Sequence, residues 1–232
     1  MAKQKHCYDY PRPAVSADCV LFGFDGRDLN ILLVERGKEP FKGKWAFPGG
    51  FLDMDETITE CAHRELREET GIDRADLEQL DVFSDVDRDP RGRVITVAYL
   101  GLLKMSEFKV VAGDDAADAQ WFKLTDIPPL AFDHDLILKT AISRLKDKVR
   151  FGGGAFELLD EQFSPEVLDR LFDTVFENQS PSGYYSGKMR ELGVLVPVES
   201  SAEQSETVDR YYSFNRDKYT EYLEKHVFMP LS

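Results

Sequence analysis

The chain lacks the features that mark secreted and membrane-embedded proteins. Its three cysteines, in 232 residues, are too few and too scattered for a disulfide framework or a structural zinc site. No apolar run approaches the roughly 18 residues that span a bilayer, and the first 13 residues have no apolar core of the kind found in signal peptides. These absences predict a cytoplasmic protein in a reducing compartment, with no membrane partner.

The chain also lacks an excess of positive charge. Lys and Arg number 29 against 43 Asp and Glu, which gives a net charge of −14. Because phosphate backbones are bound by surplus positive charge, this balance speaks against a nucleic-acid partner for the chain as a whole. Hydrophobic residues make up 42% and charged residues 31%, which is the profile of a folded protein of one large or two small domains.

Hydrophobic patterns predict two structural units that meet at a run of three glycines, 152–154. The first unit has predicted strands at 14–22, 29–34, 94–103 and 119–124, and predicted helices at 56–70 and 133–149. The second has predicted helices at 165–176, 181–192 and 217–226, predicted strands at 194–198 and 210–214, and a polar loop at 199–207. The sequence therefore predicts an α+β protein with domains at 1–150 and 151–232, the second of winged-helix type.

Three carboxylates are predicted to share one face of the first helix. Glu65, Glu68 and Glu69 stand at positions i, i+3 and i+4, within about 100° of arc. Like charges at these spacings repel each other unless a cation neutralises them, and carboxylate oxygens suit Mg²⁺ or Mn²⁺. Taken alone, the cluster also fits a solvated acidic face.

The residues around this cluster decide between the two interpretations. Positions 50–72 match G-x5-E-x7-R-E-U-x-E-E-x-G-U, where U is aliphatic, at all nine specified positions. This pattern is the Nudix box, and the chain resembles a Nudix hydrolase. The resemblance implies an α/β/α sandwich around a mixed sheet, and a metal-activated water that cleaves a nucleoside diphosphate derivative.

The resemblance also implies roles for the residues of the box. Glu65, Glu68 and Glu69 would be catalytic metal ligands, and the Gly50 carbonyl would add another. Arg64 is also expected among the catalytic residues, and it would form a structural ion pair with Glu56. Cys61 is predicted to be a small packed residue. The general base is open: Asp114, Asp115 and Asp118 are candidates, and an ordinary acidic turn is an equal alternative.

Two further segments point to a substrate and to a branch of the family. Arg36 ends a strand and Arg88 opens the segment 88–92 (RDPRG), where arginines suit bidentate phosphate contacts or are simply surface charges. The RDPRG segment resembles that of ADP-ribose pyrophosphatases. The segment 130–134 (LAFDH) resembles that of Nudix-related transcriptional regulators, which carry a C-terminal winged helix and are expected to be homodimers.

The second unit departs from those regulators. Their recognition helix carries N-F-R-R-K, whereas this chain has YYSGK at 184–188, so Lys188 and Arg190 remain as the DNA candidates on that helix. Arg210 and Arg216 flank the predicted wing. Tyr184 and Tyr185 could stack on a ligand or belong to the core.

We therefore predict a Mg²⁺- or Mn²⁺-dependent hydrolase of ADP-ribose or a similar compound. The alternative is a dimeric, ligand-sensing regulator that binds DNA. In a third interpretation, the second unit only mediates dimerisation.

Overall fold

The computed structural model describes residues 8–108, 116–151, 153–198 and 211–225. The elements of the first part are β1 (Ala14–Phe24), β2 (Leu29–Arg36), β3 (Trp45–Ala46), β4 (Gly49–Phe51), α1 (Ile58–Thr70), β5 (Glu78–Phe83), β6 (Val94–Lys104), β7 (Ala116–Lys123) and α2 (His134–Phe151). The second part has α3 (Ala155–Leu158), α4 (Pro165–Phe176), α5 (Tyr184–Glu191), β8 (Leu195–Pro197), β9 (Tyr212–Phe214) and α6 (Arg216–Lys225).

The first part is built on one mixed sheet. Its order is β3-β2-β1-β6-β5, while β4 pairs with β1 and β7 pairs with β2. β1 and β6 run parallel over their full length, and the other pairs are antiparallel. The predicted adjacency of the first two strands is confirmed, since β1 and β2 are antiparallel neighbours.

Helices cover both faces of this sheet because the strands alternate their side chains between them. On β1, Cys19 and Leu21 belong to the same core as Leu66 of α1. Their neighbours Val20 and Phe22 belong to a second core, which contains residues of α2. The expected α/β/α sandwich with a mixed sheet is therefore confirmed.

The helix that carries the Nudix box is fixed by local signals at both ends. Thr57 is its N-cap, and Thr57 and Glu60 form a reciprocal capping box. At the other end, Gly71 adopts a left-handed conformation, with φ of 75°, and its amide donates to the Arg67 carbonyl. The predicted helix 56–70 begins two residues later than expected because Thr57 is the cap.

The second part follows the predicted order of elements. α4 begins at Pro165 after the N-cap Ser164, as expected. α5 begins three residues later than the predicted helix 181–192, because the preceding Gly183 has φ of 77°. β8 and β9 form the antiparallel pair expected of a wing. The polar loop 199–207 and Arg210 lie outside the described residues.

The two parts share a continuous hydrophobic core. Buried residues of α4, α5 and the β8–β9 pair belong to the same cluster as buried residues of β1, β2 and α2. At its C-terminal half, α2 also contacts this second part: Lys146 pairs with Glu177 at 2.7 Å, and Arg150 stacks over Phe176. The domain boundary between residues 150 and 151 stays a prediction. Of the helices that the structure describes, none is long and apolar enough to cross a membrane.

Candidate active site

A cleft of about 460 Å³ lies between α1 and the ends of the sheet strands. One side is acidic and comes from the helix of the Nudix box. The other side is basic and comes from the end of β2 and the segment before β6. Its lining includes Arg36, Lys38, Gly49, Gly50, Phe51, Asp53, Arg64, Glu65, Glu68, Glu69 and Arg91. The cleft thus brings together six of the seven residues predicted for catalysis, metal binding and substrate binding.

The predicted pair between Glu56 and Arg64 is confirmed. Arg64 donates from Nη2 and Nε to the two carboxylate oxygens of Glu56 at 2.6 and 2.8 Å, and from Nη2 to the Phe51 carbonyl at 3.2 Å. Hydrogen bonds from Arg64 lower the pKa of Glu56 to about 2. The pair therefore joins the loop before α1 to the helix, as expected of a structural bridge.

Arg64 also contacts two of the predicted metal ligands. Its Nη1 donates to Glu65 at 2.7 Å and to Glu68 at 3.3 Å. Glu65 is largely buried, whereas the side chain of Glu68 is 53% exposed. Arg64 is thus held between the structural carboxylate of Glu56 and the carboxylates of the cleft.

Glu69 lies deepest in the acidic side. Burial raises its pKa to about 8, and the nearby carboxylates of Glu65 and Asp18 raise it as well. Its Oε2 accepts a hydrogen bond from the Gly49 amide at 2.9 Å, which favours the charged form. Burial likewise raises the pKa of Glu65. This crowding of desolvated carboxylates is what a bound cation would relieve.

Gly50 lies directly against this group. A Cβ at Gly50 would overlap the Glu65 carboxylate, so any larger residue there would have to displace that side chain. Behind it, the Cys61 thiol faces the Gly50 carbonyl, with 3.8 Å between sulfur and oxygen. Cys61 is buried, and burial raises its pKa to about 12, so it is packed as predicted and is not a nucleophile.

The donors fit a hard divalent cation in their chemistry. Three carboxylates and a main-chain carbonyl supply oxygen ligands only, which Mg²⁺ and Mn²⁺ prefer. In the conformation described, however, no three His, Cys, Asp or Glu groups in the covered ranges converge closely enough to hold a metal. In this conformation Arg64 contacts Glu65 and Glu68, while Glu69 is bonded to Gly49.

Two arginines face the acidic group from the other side. Arg36 is fixed by a hydrogen bond from Nε to the Pro40 carbonyl at 2.9 Å, and its guanidinium stacks over Phe132 at 4.6 Å. Arg91 lies 5.3 Å from the same ring and 4.8 Å from the ring of Phe51. Burial and the nearby Arg91 lower the pKa of Arg36. Two neighbouring cations over one ring form a site for an anion.

Arg88 has a different environment from the one expected. Its side chain is only 3% exposed, and it donates from Nε and Nη2 to the two oxygens of Asp133 at 2.9 and 2.7 Å. Arg91 is held by a similar bidentate pair with Asp89, but its side chain is 41% exposed. Burial, and not pairing, therefore keeps the Arg88 guanidinium from being presented to a phosphate in the cleft. Sequence reasoning missed Arg91, because both arginines lie in the same RDPRG segment and nothing in it says which one is buried.

The LAFDH segment links α2 to the cleft. The Ala131 amide donates to the Trp45 carbonyl at 2.8 Å, and Phe132 supplies the ring beneath the two arginines. Asp133 pairs with Arg88, and the Nδ1 atom of His134 accepts a hydrogen bond from the Phe47 amide at 3.0 Å. His134 was not among the predicted site residues.

Two of the three general-base candidates, Asp114 and Asp115, lie outside the described residues. The third, Asp118, is exposed on β7 opposite Glu35 and does not line the cleft.

The predicted DNA residues lie on α5. Lys188 is half-buried, and its Nζ donates to the Tyr184 hydroxyl at 2.9 Å. Arg190 is exposed, with Nη1 3.5 Å from the Tyr212 hydroxyl on β9. Tyr185 is buried against Phe172, so it belongs to the core, which was one of the two alternatives.

Ser186 stands where the related regulators carry an arginine, and it is fully buried. The carboxylate of Asp169 on α4 accepts hydrogen bonds from the amide and the hydroxyl of Ser186 and from the Gly183 amide. This carboxylate anchors the N-terminus of α5 and satisfies its otherwise unpaired amides.

Comparison with known families agrees with the cleft and with the layout of the chain. The family model of the NUDIX domain matches residues 12–142, more than half of the chain. The chain belongs to the Nudix family. The box, the three-layer sandwich and the cleft are therefore those of a Nudix domain.

Relatives of this Nudix chain include a regulator and an enzyme. The ADPR responsive transcriptional repressor NtrR of Acinetobacter baylyi is 32% identical over 215 residues, which cover 91% of this chain and 86% of the repressor. The ADP-ribose pyrophosphatase of Methanocaldococcus jannaschii is 45% identical over 130 residues, which cover 56% of this chain and 73% of the enzyme. The resemblance to both branches of the family is thus confirmed.

A solved structure is similar to nearly the whole Nudix chain. Shewanella oneidensis NrtR, crystallised with a 27mer DNA, has a TM-score of 0.67 and 26% identity, and the match covers 89% of this chain and 95% of that one. The similarity therefore extends past the Nudix domain into the second part.

Proposed function

We propose that the chain is a metal-dependent hydrolase that cleaves the pyrophosphate of ADP-ribose or a similar nucleoside diphosphate derivative. The observation that carries this proposal is the cleft itself, in which the intact acidic box faces the paired Arg36 and Arg91. A diphosphate with its cation matches both sides in charge. The relationship to an ADP-ribose pyrophosphatase supports the choice of substrate.

Each residue has a task that follows from its position. Glu65, Glu68, Glu69 and the Gly50 carbonyl would hold Mg²⁺ or Mn²⁺, which lowers the pKa of a bound water and offsets charge on the phosphates. Arg36 and Arg91 would bind phosphate oxygens and hold the diphosphate against the acidic side. Arg64 would keep Glu65 and Glu68 oriented through the anchor at Glu56.

The test is whether the chain releases AMP from ADP-ribose in the presence of Mg²⁺ or Mn²⁺, with the AMP measured by chromatography. Glu68→Gln and Glu69→Gln should each lower turnover by about 100-fold or more, because each removes a ligand charge. Asp55→Asn is the matched control, since it removes an exposed carboxylate from the same box outside the cleft lining. Circular dichroism should show all three variants folded. The absence of metal-dependent release across a panel of nucleoside diphosphate derivatives would contradict the proposal.

A second function is a ligand-responsive transcriptional regulator that acts as a homodimer and binds DNA through the second part. Two observations favour it: Lys188 and Arg190 lie on a helix followed by the β8–β9 pair, and the similarity to NtrR and NrtR covers nearly the whole chain. The two functions are compatible, because one cleft that binds a nucleoside diphosphate derivative can both cleave this compound and sense it for the regulator. A cytoplasmic location belongs to the same proposal.

The regulator is tested by gel shift with the DNA upstream of its own gene. Two phosphate-binding cations per subunit predict a logarithmic salt slope of about −2 per subunit, and Lys188→Ala should make the slope shallower by about 1. The proposal fails if binding is absent at low salt or insensitive to salt. A dimer in sedimentation would then favour the third interpretation, in which the second part only mediates dimerisation.

A further inference from the structure

A buried polar network lies behind Gly49 and Gly50. Asp18 of β1 is in register with Gly49, and a Cβ at Gly49 would lie 2.8 Å from its Oδ1 atom. Its other oxygen accepts a hydrogen bond from the Thr96 hydroxyl at 2.6 Å. The Nε2 atom of His134 lies 3.7 Å from Oδ1 of Asp18. Buried groups arranged so closely fix one another in a single geometry.

His134 contacts this network and the main chain of the cleft at the same time. Its side chain is 3% exposed and stacks on the ring of Phe47, with 4.9 Å between centroids and an angle of 11°. Nδ1 accepts a hydrogen bond from the Phe47 amide, so the neutral ring carries its proton on Nε2, facing Asp18. Burial lowers the pKa of His134, which favours this neutral form.

The Phe47 amide lies two residues before Gly49, whose own amide donates to Glu69. We propose that His134 is a positioning residue: by holding the Phe47 amide, it fixes the Gly49–Gly50 segment against the carboxylates of α1. The inference rests on the proposed function of the cleft. It also assigns a role to the last residue of the LAFDH segment, which is His134. His134 acts through the main chain, at the Phe47 amide.

Two variants with side chains of the same branched shape test whether His134 acts as a hydrogen-bond acceptor or only fills space. His134→Asn places an amide oxygen where Nδ1 stands, whereas His134→Leu has no acceptor. The Leu variant should lower kcat for ADP-ribose by about 100-fold with KM changed less than about threefold, because the catalytic carboxylates lose their fixed partner. The Asn variant should recover at least about a tenth of the wild-type kcat, since its amide oxygen can still hold the Phe47 amide.

Hydrogen exchange of the full chain provides a readout independent of turnover. In the Leu variant, the peptide that contains Phe47–Gly50 should exchange at least about tenfold faster, while peptides from α1 and β6 keep their rates. In the Asn variant, the Phe47–Gly50 peptide should keep its protection. All measurements are made well below each variant's melting temperature.

Two outcomes would overturn the inference: equal loss of turnover in the Asn and Leu variants, or unchanged exchange of the Phe47–Gly50 peptide in the Leu variant. If the wild-type chain hydrolyses no substrate, the proposed function fails on its own, and the exchange experiment still decides whether His134 holds this segment.

Discussion

Arg88 and Arg91 are three residues apart, yet the structure predicts opposite consequences for their loss. The perturbation is Arg88→Met or Arg91→Met, which removes the guanidinium and keeps most of the apolar stem. Arg88 is 3% exposed and forms two hydrogen bonds to Asp133, which is itself 17% exposed. Removing one partner of a buried pair costs about 3–5 kcal/mol, because the other charge is left without compensation.

The expected cost for Arg91 is smaller. Its side chain is 41% exposed, although its partner Asp89 is 2% exposed. In the wild-type structure the main-chain amide of residue 91 donates to the Asp89 carboxylate at 2.9 Å. Arg91→Met would keep this hydrogen bond. We therefore expect a loss of about 1–2 kcal/mol, between the values for exposed and buried pairs.

The assay combines urea unfolding with steady-state kinetics on ADP-ribose. Arg88→Met should lower the free energy of unfolding more than Arg91→Met does, and it should leave KM for ADP-ribose little changed. Arg91→Met should raise KM about tenfold or more, because it removes a phosphate contact. Asp133→Asn completes a double-mutant cycle with Arg88→Met, and the double variant should lose less stability than the sum of the two.

The reasoning would be refuted if Arg88→Met raised KM with no loss of stability. Arg88 would then bind substrate, as the sequence alone led us to expect.

Three other predictions follow from the glycines and the structural ion pair. Gly187→Ala should raise the free energy of unfolding by about 0.5–1 kcal/mol in thermal melts, because it lies within α5 and a Cβ there has nothing nearer than 4.0 Å. Gly50→Ala should lower turnover more than about tenfold with an unchanged circular dichroism spectrum, because its Cβ would displace the Glu65 carboxylate. The pKa of Glu56 is lowered to about 2, so its pair with Arg64 stabilises the fold above about pH 4.5 and loses this contribution as the pH falls toward 2. Urea unfolding of Glu56→Gln should therefore show a smaller loss of stability between pH 5 and pH 3 than wild type.

Local signals were enough to predict the helix of the box, and the box pattern assigned its acidic face to a metal site. Gly71 and the three carboxylates at helical spacing lie within one segment of sequence, whereas the cap at Thr57 was missed, so the helix was expected to begin at residue 56. Strands β3 and β4 were not predicted, because two or three residues carry no period. β5 was missed as well, since at the sheet edge only two of its six residues are buried.

Contacts between distant residues could not be predicted in the same way. Arg88 and Asp133 are 45 positions apart, and His134 and Phe47 are 87 apart. Nothing in the local pattern around either partner indicates the other, because such pairs are set by how the strands and α2 pack. For this reason the carboxylates of the cleft were found from sequence, whereas the residues that position them were not.

The acidic charge of the second part is less of an obstacle to DNA than its total indicates. Residues 151–232 carry 7 basic and 15 acidic side chains. However, a charge acts on a phosphate mainly within a Debye length of about 8 Å, so only the groups around α5 matter for its docking. Of the acidic side chains near α5, Asp169 is buried and fully engaged by amides and a hydroxyl of the Gly183–Ser186 turn. A phosphate that approaches the C-terminal half of α5 therefore meets Lys188 and Arg190 at close range, opposed on that helix by Glu191.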